Sequence, residues 1–131
     1  MCGIFGIVSS NLDISKDELL KQVTDLFILS EARGKEAAGL AIKYDGKLNV
    51  YKDKVTASEM LKESQFNNFY SDSLPNKSNI TSPISIFGHS RLVTNGSAEL
   101  NYNNQPVVKD GLVAIHNGIC CLLYTSDAAD E

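Results

Sequence analysis

Tryptophan is missing from this 131-residue chain, and cysteine and proline occur only three times each. Cysteines at 2, 120 and 121, two of them adjacent, make no disulfide framework, so stability has to come from a packed core. Positive charge is in deficit: 12 Lys and Arg stand against 16 Asp and Glu, a net charge of −4 with no basic patch. Nucleic acid is therefore not expected as a main partner. No apolar run approaches the roughly 20 residues of a bilayer span, so no membrane partner is expected. The N-terminus also lacks the basic region and long apolar stretch of a secretory signal. A cytoplasmic protein is the expectation. The two histidines, His89 and His116, are too few and wrongly spaced to build a metal site with Cys2, and no cofactor is expected. What is present is ordinary globular composition, 43% hydrophobic and 21% charged, in a length that suits at most one domain.

Residues 3–9 read as a buried strand, with Ile4, Phe5, Ile7 and Val8 set among glycines that permit close backbone approach. A polar turn at 11–13 precedes Ser15-Lys16-Asp17-Glu18, whose Ser and Glu have capping-box spacing. The helix it opens places Leu19, Leu20, Val23, Leu26, Phe27 and Ser30 on one face. Residues 33–39 form a loop with Gly34 and Gly39 near its two ends and small residues between, which implies backbone packed against something or a plain turn. Asp45-Gly46 predicts a hairpin between strands at 40–43 and 47–52. A second capping box, Thr56 to Glu59, starts a short helix to about Gln65. Residues 67–82, rich in Asn, Ser, Asp and Pro, read as an exposed loop. A β-branched strand at 83–87 then delivers a polar segment, 88–97, of the kind on which sites are built. After another polar loop at 98–105, a buried strand at 112–115 delivers His116-Asn117-Gly118.

Cys2 stands directly behind the initiator Met. Its side chain is small, so removal of Met1 would put a thiol and a free α-amino group on one residue. Ordinary thiols and α-amino groups titrate within about one unit of each other, so the amine can serve as base for the thiol. A small buried structural cysteine is the plain alternative. Amide hydrolysis also needs donors for the developing oxyanion. The Asn117 side-chain amide and the Gly118 backbone N–H suit that role, although Asn-Gly is equally a turn signal. Arg91 has the planar fork for a carboxylate or, alternatively, for a surface ion pair, with Thr94 and Asn95 beside it.

Four motifs in order carry a resemblance: Met-Cys-Gly-Ile-x-Gly at the start, Arg-Gly-x-(acidic)-x-x-Gly at 33–39, Gly-His-Ser-Arg at 88–91 and His-Asn-Gly-Ile at 116–119. Together they resemble the glutaminase domain of class II glutamine amidotransferases, a family of N-terminal-nucleophile hydrolases. The resemblance implies an α+β fold, the four-layer αββα sandwich, incomplete at the C-terminus. It implies Cys2 as nucleophile, Asn117 and Gly118 as oxyanion hole, and Arg91 with Thr94 as the grip on the glutamine α-carboxylate. L-glutamine is then the substrate, and ammonia passes to an acceptor on an absent domain. Glu36 stands where the family more often has Asp. His116 to Ile119 is closest to the glutamine:fructose-6-phosphate aminotransferase branch, whereas Asn104-Gln105-Pro106 and Asn95-Gly96-Ser97 lean toward amidophosphoribosyltransferase, so the branch stays open. Another N-terminal-Cys amidase and a catalytically silent assembly domain are the competing readings.

Residues 1–120 are thus expected to be a partial amidotransferase domain. Residues 121–131 resemble the conceptual translation of a sequencing adaptor joined to a truncated gene at about Cys120. Asp127 is accordingly not taken as a substrate-binding residue, nor Cys120-Cys121 as a redox pair. A chain so shortened is expected to leave sheet edges unpaired and to be unstable or inactive.

Overall fold

The structure, a computed structural model, describes residues 1–10, 13–93 and 97–118. In chain order the elements are β1 (Gly3–Ser9), β2 (Ile14–Ser15), α1 (Lys16–Glu31), β3 (Ala37–Tyr44), β4 (Lys47–Asp53), α2 (Ala57–Met60), α3 (Ser64–Ser73), β5 (Asn79–Ile80), β6 (Ile84–Arg91), β7 (Val107–Lys109) and β8 (Leu112–Ala114). The architecture is α+β. Its centre is a four-stranded antiparallel sheet in the order β1-β6-β3-β4.

Strand alternation divides this sheet into two unequal faces. One face carries Phe5, Ile7, Ala38, Leu40, Ile42, Ile84 and Ile86, which pack with Leu19, Val23 and Phe27 of α1 and with Met60 and Phe66 of α2 and α3. Ser15 starts α1 by accepting a hydrogen bond from the Glu18 N–H at 3.1 Å, and the spacing Leu19–Val23–Phe27–Ser30 turns one stripe of the helix onto the sheet. Phe27 meets Phe5 edge to face, with centroids 4.7 Å apart. Full burial of such a ring contributes about 1.5–3 kcal/mol relative to exposure.

The opposite face is mostly open. Ile4, Val8 and Phe87 lie on it at 49%, 71% and 37% exposure. The expectation of a buried first strand is therefore corrected: β1 is an edge strand whose outward residues Ile4 and Val8 stay largely exposed. Toward one end, however, the residues 104–106 lie across this face. A Cβ on Gly39 would sit 2.0 Å from the Gln105 carbonyl oxygen, and Lys52 Nζ donates to the Asn104 and Pro106 carbonyls at 2.7 and 3.0 Å. Gly39 is thus required by close approach rather than by its dihedral angles. Gly34 makes a similar approach to the Ser90 and Arg91 backbone. Both glycines of the 33–39 segment therefore serve packing, although Ala37–Gly39 belongs to β3 and not to a loop.

The Asp45-Gly46 hairpin forms as expected, with both residues at positive φ (48° and 75°). The second capping box is complete at Thr56 and Glu59, but α2 ends at Met60. A separate helix, α3, occupies much of what reads as an exposed loop. Its polar composition hides Phe66 and Phe69, whose rings meet each other and Tyr51 of β4, and the buried Tyr70, whose hydroxyl donates to the Lys16 carbonyl at 2.9 Å. The polar segment expected from Gly88 likewise begins late, because β6 runs through Arg91. Finally, the strand expected at 112–115 is not buried. It pairs with β7 across Asp110-Gly111 as a small hairpin with Leu112 73% exposed.

Candidate active site

Antiparallel pairing sets Gly3 opposite Ser90, which brings the residue before β1 beside the residues that end β6. Cys2 is buried there, 7% exposed, while Met1 is 75% exposed. Each polar atom of Cys2 is held by a different segment. Its backbone nitrogen donates to Asn117 Oδ1 at 2.9 Å, and its carbonyl accepts from Arg33 Nε at 3.1 Å. Its Sγ lies 3.4 Å from both the backbone N and the carbonyl O of Leu92, accepting from the first and donating to the second. A thiol can use both contacts. A thiolate would keep the N–H donor.

Glu36 fixes the strand exit that supplies Leu92. Its backbone N–H donates to the Arg91 carbonyl at 3.0 Å, and its carboxylate accepts from the Val93 N–H. Arg91 is 5% exposed, so the surface ion pair weighed from sequence is replaced by a buried guanidinium. Its Nη1 donates to Asn104 Oδ1 at 2.7 Å and to the Ser97 carbonyl at 3.5 Å. Asn104 is itself fully buried, and its Nδ2 donates to the Ala98 carbonyl and to Asn101 Oδ1.

Cys2, Asn117 and Gly118 thus come together at one end of the sheet, with Arg91 on the neighbouring strand. Thr94 and Asn95 lie outside the described residues, as do Ile119 and the whole 121–131 tail. Sequence reasoning assigned no role to the Arg33 side chain, to the Leu92 backbone or to Asn104. Arg33 was legible only as part of a glycine-flanked loop, because a contact to a main-chain carbonyl 31 residues away leaves no periodic signal.

His89 supports the segment that carries Asn117. It is fully buried, and its Nε2 lies 3.3 Å from the His116 carbonyl, to which the neutral ring donates. Nδ1 has no hydrogen-bond partner among the described residues. Burial, and secondarily the Arg91 charge, hold its pKa down at about 4, against the partial opposition of the His116 bond. The unfolded chain takes up this proton near 6.5, whereas the folded chain resists it to about 4. Stability from His89 is therefore complete above pH 6.5 and declines as pH falls toward 4, by about 3 kcal/mol in all. Urea midpoints between pH 7 and 5 should fall in the wild type and flatten in H89Q. An equal slope in both would assign the acid sensitivity to other groups.

Among the described residues, no three His, Cys, Asp or Glu side chains gather as they would around a metal ion, and no helix is long and apolar enough to cross a membrane. No protein-family model matches the chain, and no solved structure matches it. The curated proteins do offer a relative, and it belongs to the glutamine-using aminotransferases. Over 120 residues the chain is 29% identical to the glutamine–fructose-6-phosphate aminotransferase [isomerizing] of Staphylococcus aureus, with the same value for strains Mu50, N315 and COL. The match covers 91% of this chain but 17% of each relative, so the chain spans about a sixth of their length. The similarity is distant and partial.

Proposed function

We propose that this chain is the glutamine-hydrolysing domain of a class II amidotransferase, working through Cys2. The observation that carries this reading is the threefold grip on Cys2 by Asn117, Arg33 and Leu92, at a position one peptide bond from a free amine. The distant similarity to a glutamine-using aminotransferase supports the substrate.

With Met1 removed, the nitrogen that donates to Asn117 Oδ1 becomes the α-amine. It takes the thiol proton, and the thiolate attacks the side-chain carbonyl carbon of glutamine. Because Asn117 spends its Oδ1 on that amine, its Nδ2 faces the forming oxyanion, joined by the Gly118 N–H. Collapse of the tetrahedral adduct breaks the C–N bond, and the ammonium form of the Cys2 amine protonates the departing ammonia. Water then cleaves the glutamyl thioester to glutamate and regenerates the thiol. Arg91 pairs with the substrate α-carboxylate, with Thr94 as its neighbour in that task.

The proposed fold is the αββα sandwich, its second sheet lying on the open face that carries Ile4, Val8 and Phe87. Ammonia would go to an acceptor bound by a further domain.

Mass spectrometry after exposure to diazo-oxo-norleucine, a glutamine-like electrophile, tests the reading. The expected spectrum shows loss of Met1 and one adduct on Cys2, suppressed by L-glutamine. Retained Met1 with no adduct would overturn it and favour a silent domain.

A further inference from the structure

Residues 104–106 touch both halves of the site. Asn104 Oδ1 accepts from Arg91 Nη1 at 2.7 Å. The next side chain, Gln105, pairs with both backbone groups of His116: its Oε1 accepts from the His116 N–H, and its Nε2 donates to the His116 carbonyl at 3.2 Å. That carbonyl also faces His89 Nε2 at 3.3 Å. The residue so clamped immediately precedes Asn117, whose Oδ1 takes the Cys2 nitrogen. The segment is itself tied down, because Lys52 Nζ donates to the carbonyls of Asn104 and Pro106, and its Gln105 carbonyl rests on Gly39.

We propose that Asn104-Gln105-Pro106 is a positioning strap that sets the carboxylate grip and the oxyanion donor relative to each other, Asn104 acting through Arg91 on substrate affinity and Gln105 through His116–Asn117 on turnover. The division of labour rests on the glutamine-hydrolysing reading, whereas the clamp itself does not. Neither residue touches substrate. A side-chain amide is the group suited to Gln105, since it alone offers an acceptor and a donor side by side, matched to a peptide N–H and C=O. Glu keeps the acceptor and loses the donor. Met keeps the length and loses both.

The experiment compares the wild-type chain with Q105M, Q105E and N104L, reading glutaminase kinetics and, separately, hydrogen exchange of the His116 amide. Misplacing a catalytic group by about 1 Å costs roughly a hundredfold, so Q105M should lower kcat by about that factor with KM within about twofold. Q105E should fall between it and the wild type. N104L should raise KM by about tenfold, the loss of one hydrogen bond to a charged group, and spare kcat. His116 exchange should quicken at least tenfold in Q105M alone, an estimate for one lost amide bond. Accelerated His116 exchange in Q105M, alongside a wild-type chain that does not hydrolyse glutamine, would sustain the clamp and overturn the functional reading. Unchanged exchange and kcat in Q105M would overturn the strap. So would equal losses of kcat and KM in N104L and Q105M with matching falls in thermal midpoint, because they would mark general structural damage.

Discussion

Cys2→Ala is expected to reduce glutamine hydrolysis by at least about 10⁴-fold while leaving the thermal midpoint nearly unchanged. The two halves of this result have separate causes. Activity falls because the proposed acyl intermediate forms on the Cys2 sulfur, and an oxyanion hole without a nucleophile supplies only a small remainder of the rate. Stability holds because the contacts that anchor residue 2 to Asn117 and Arg33 use its backbone N and O, which alanine retains. Only the sulfur contacts to Leu92 are lost, from a site where a small apolar side chain fits. Ammonia release and a melting curve on the same samples measure both. A C2A variant that still released ammonia at a tenth of the wild-type rate would remove Cys2 from the chemistry. A variant that unfolded would instead mark the thiol as a packing residue.

Arg91→Ala is expected to raise KM for glutamine by about a hundredfold or more, since a paired guanidinium–carboxylate contact combines two charge-assisted hydrogen bonds worth about 1.5–3 kcal/mol each. Hydrolysis of a simple amide that lacks the α-carboxylate should change little. This contrast separates a glutamine enzyme from an amidase for uncharged substrates, which would respond equally to both. The substitution also leaves the buried Asn104 Oδ1 without its donor, at a cost of about 1–3 kcal/mol in stability. Kinetics are therefore best taken well below the melting temperature of the variant. Lysine would not restore the wild type, because a point charge on a flexible stem cannot reproduce the planar fork.

How much of this was written in the chain differs from one segment to the next. Local signals were readable: Ser15 and Thr56 as helix starts, Asp45-Gly46 as a hairpin, and the Leu19–Val23–Phe27 stripe all act within a few residues of themselves. Helix α3 was not, because its three aromatics are diluted among Asn, Ser and Asp, and their partners, Tyr51 and the Lys16 carbonyl, lie on other elements. The extension of β6 through His89 and Arg91 was missed for a related reason. Those polar residues are buried by the strap and by pairing with β3, neither of which is local. The site residues named from sequence announced themselves by position and side-chain type before the motif resemblance joined them into one family's site. Their supports did not, since Arg33, Glu36 and Gln105 act through main-chain partners whose identity the sequence does not encode.

The hydrogen bond from the Cys2 nitrogen to Asn117 spans 115 residues of chain, and it imposes an order of events during synthesis. At about 5–20 residues per second, Asn117 is polymerised on the order of 6–20 s after Cys2. Throughout that interval the amino end lacks the Asn117 side chain that accepts from the Cys2 nitrogen in the fold. Met1 removal, which the proposed reading requires, is therefore open to a processing aminopeptidase before the contact to Asn117 forms. In the proposed enzyme the nucleophile would be freed before its own pocket is complete.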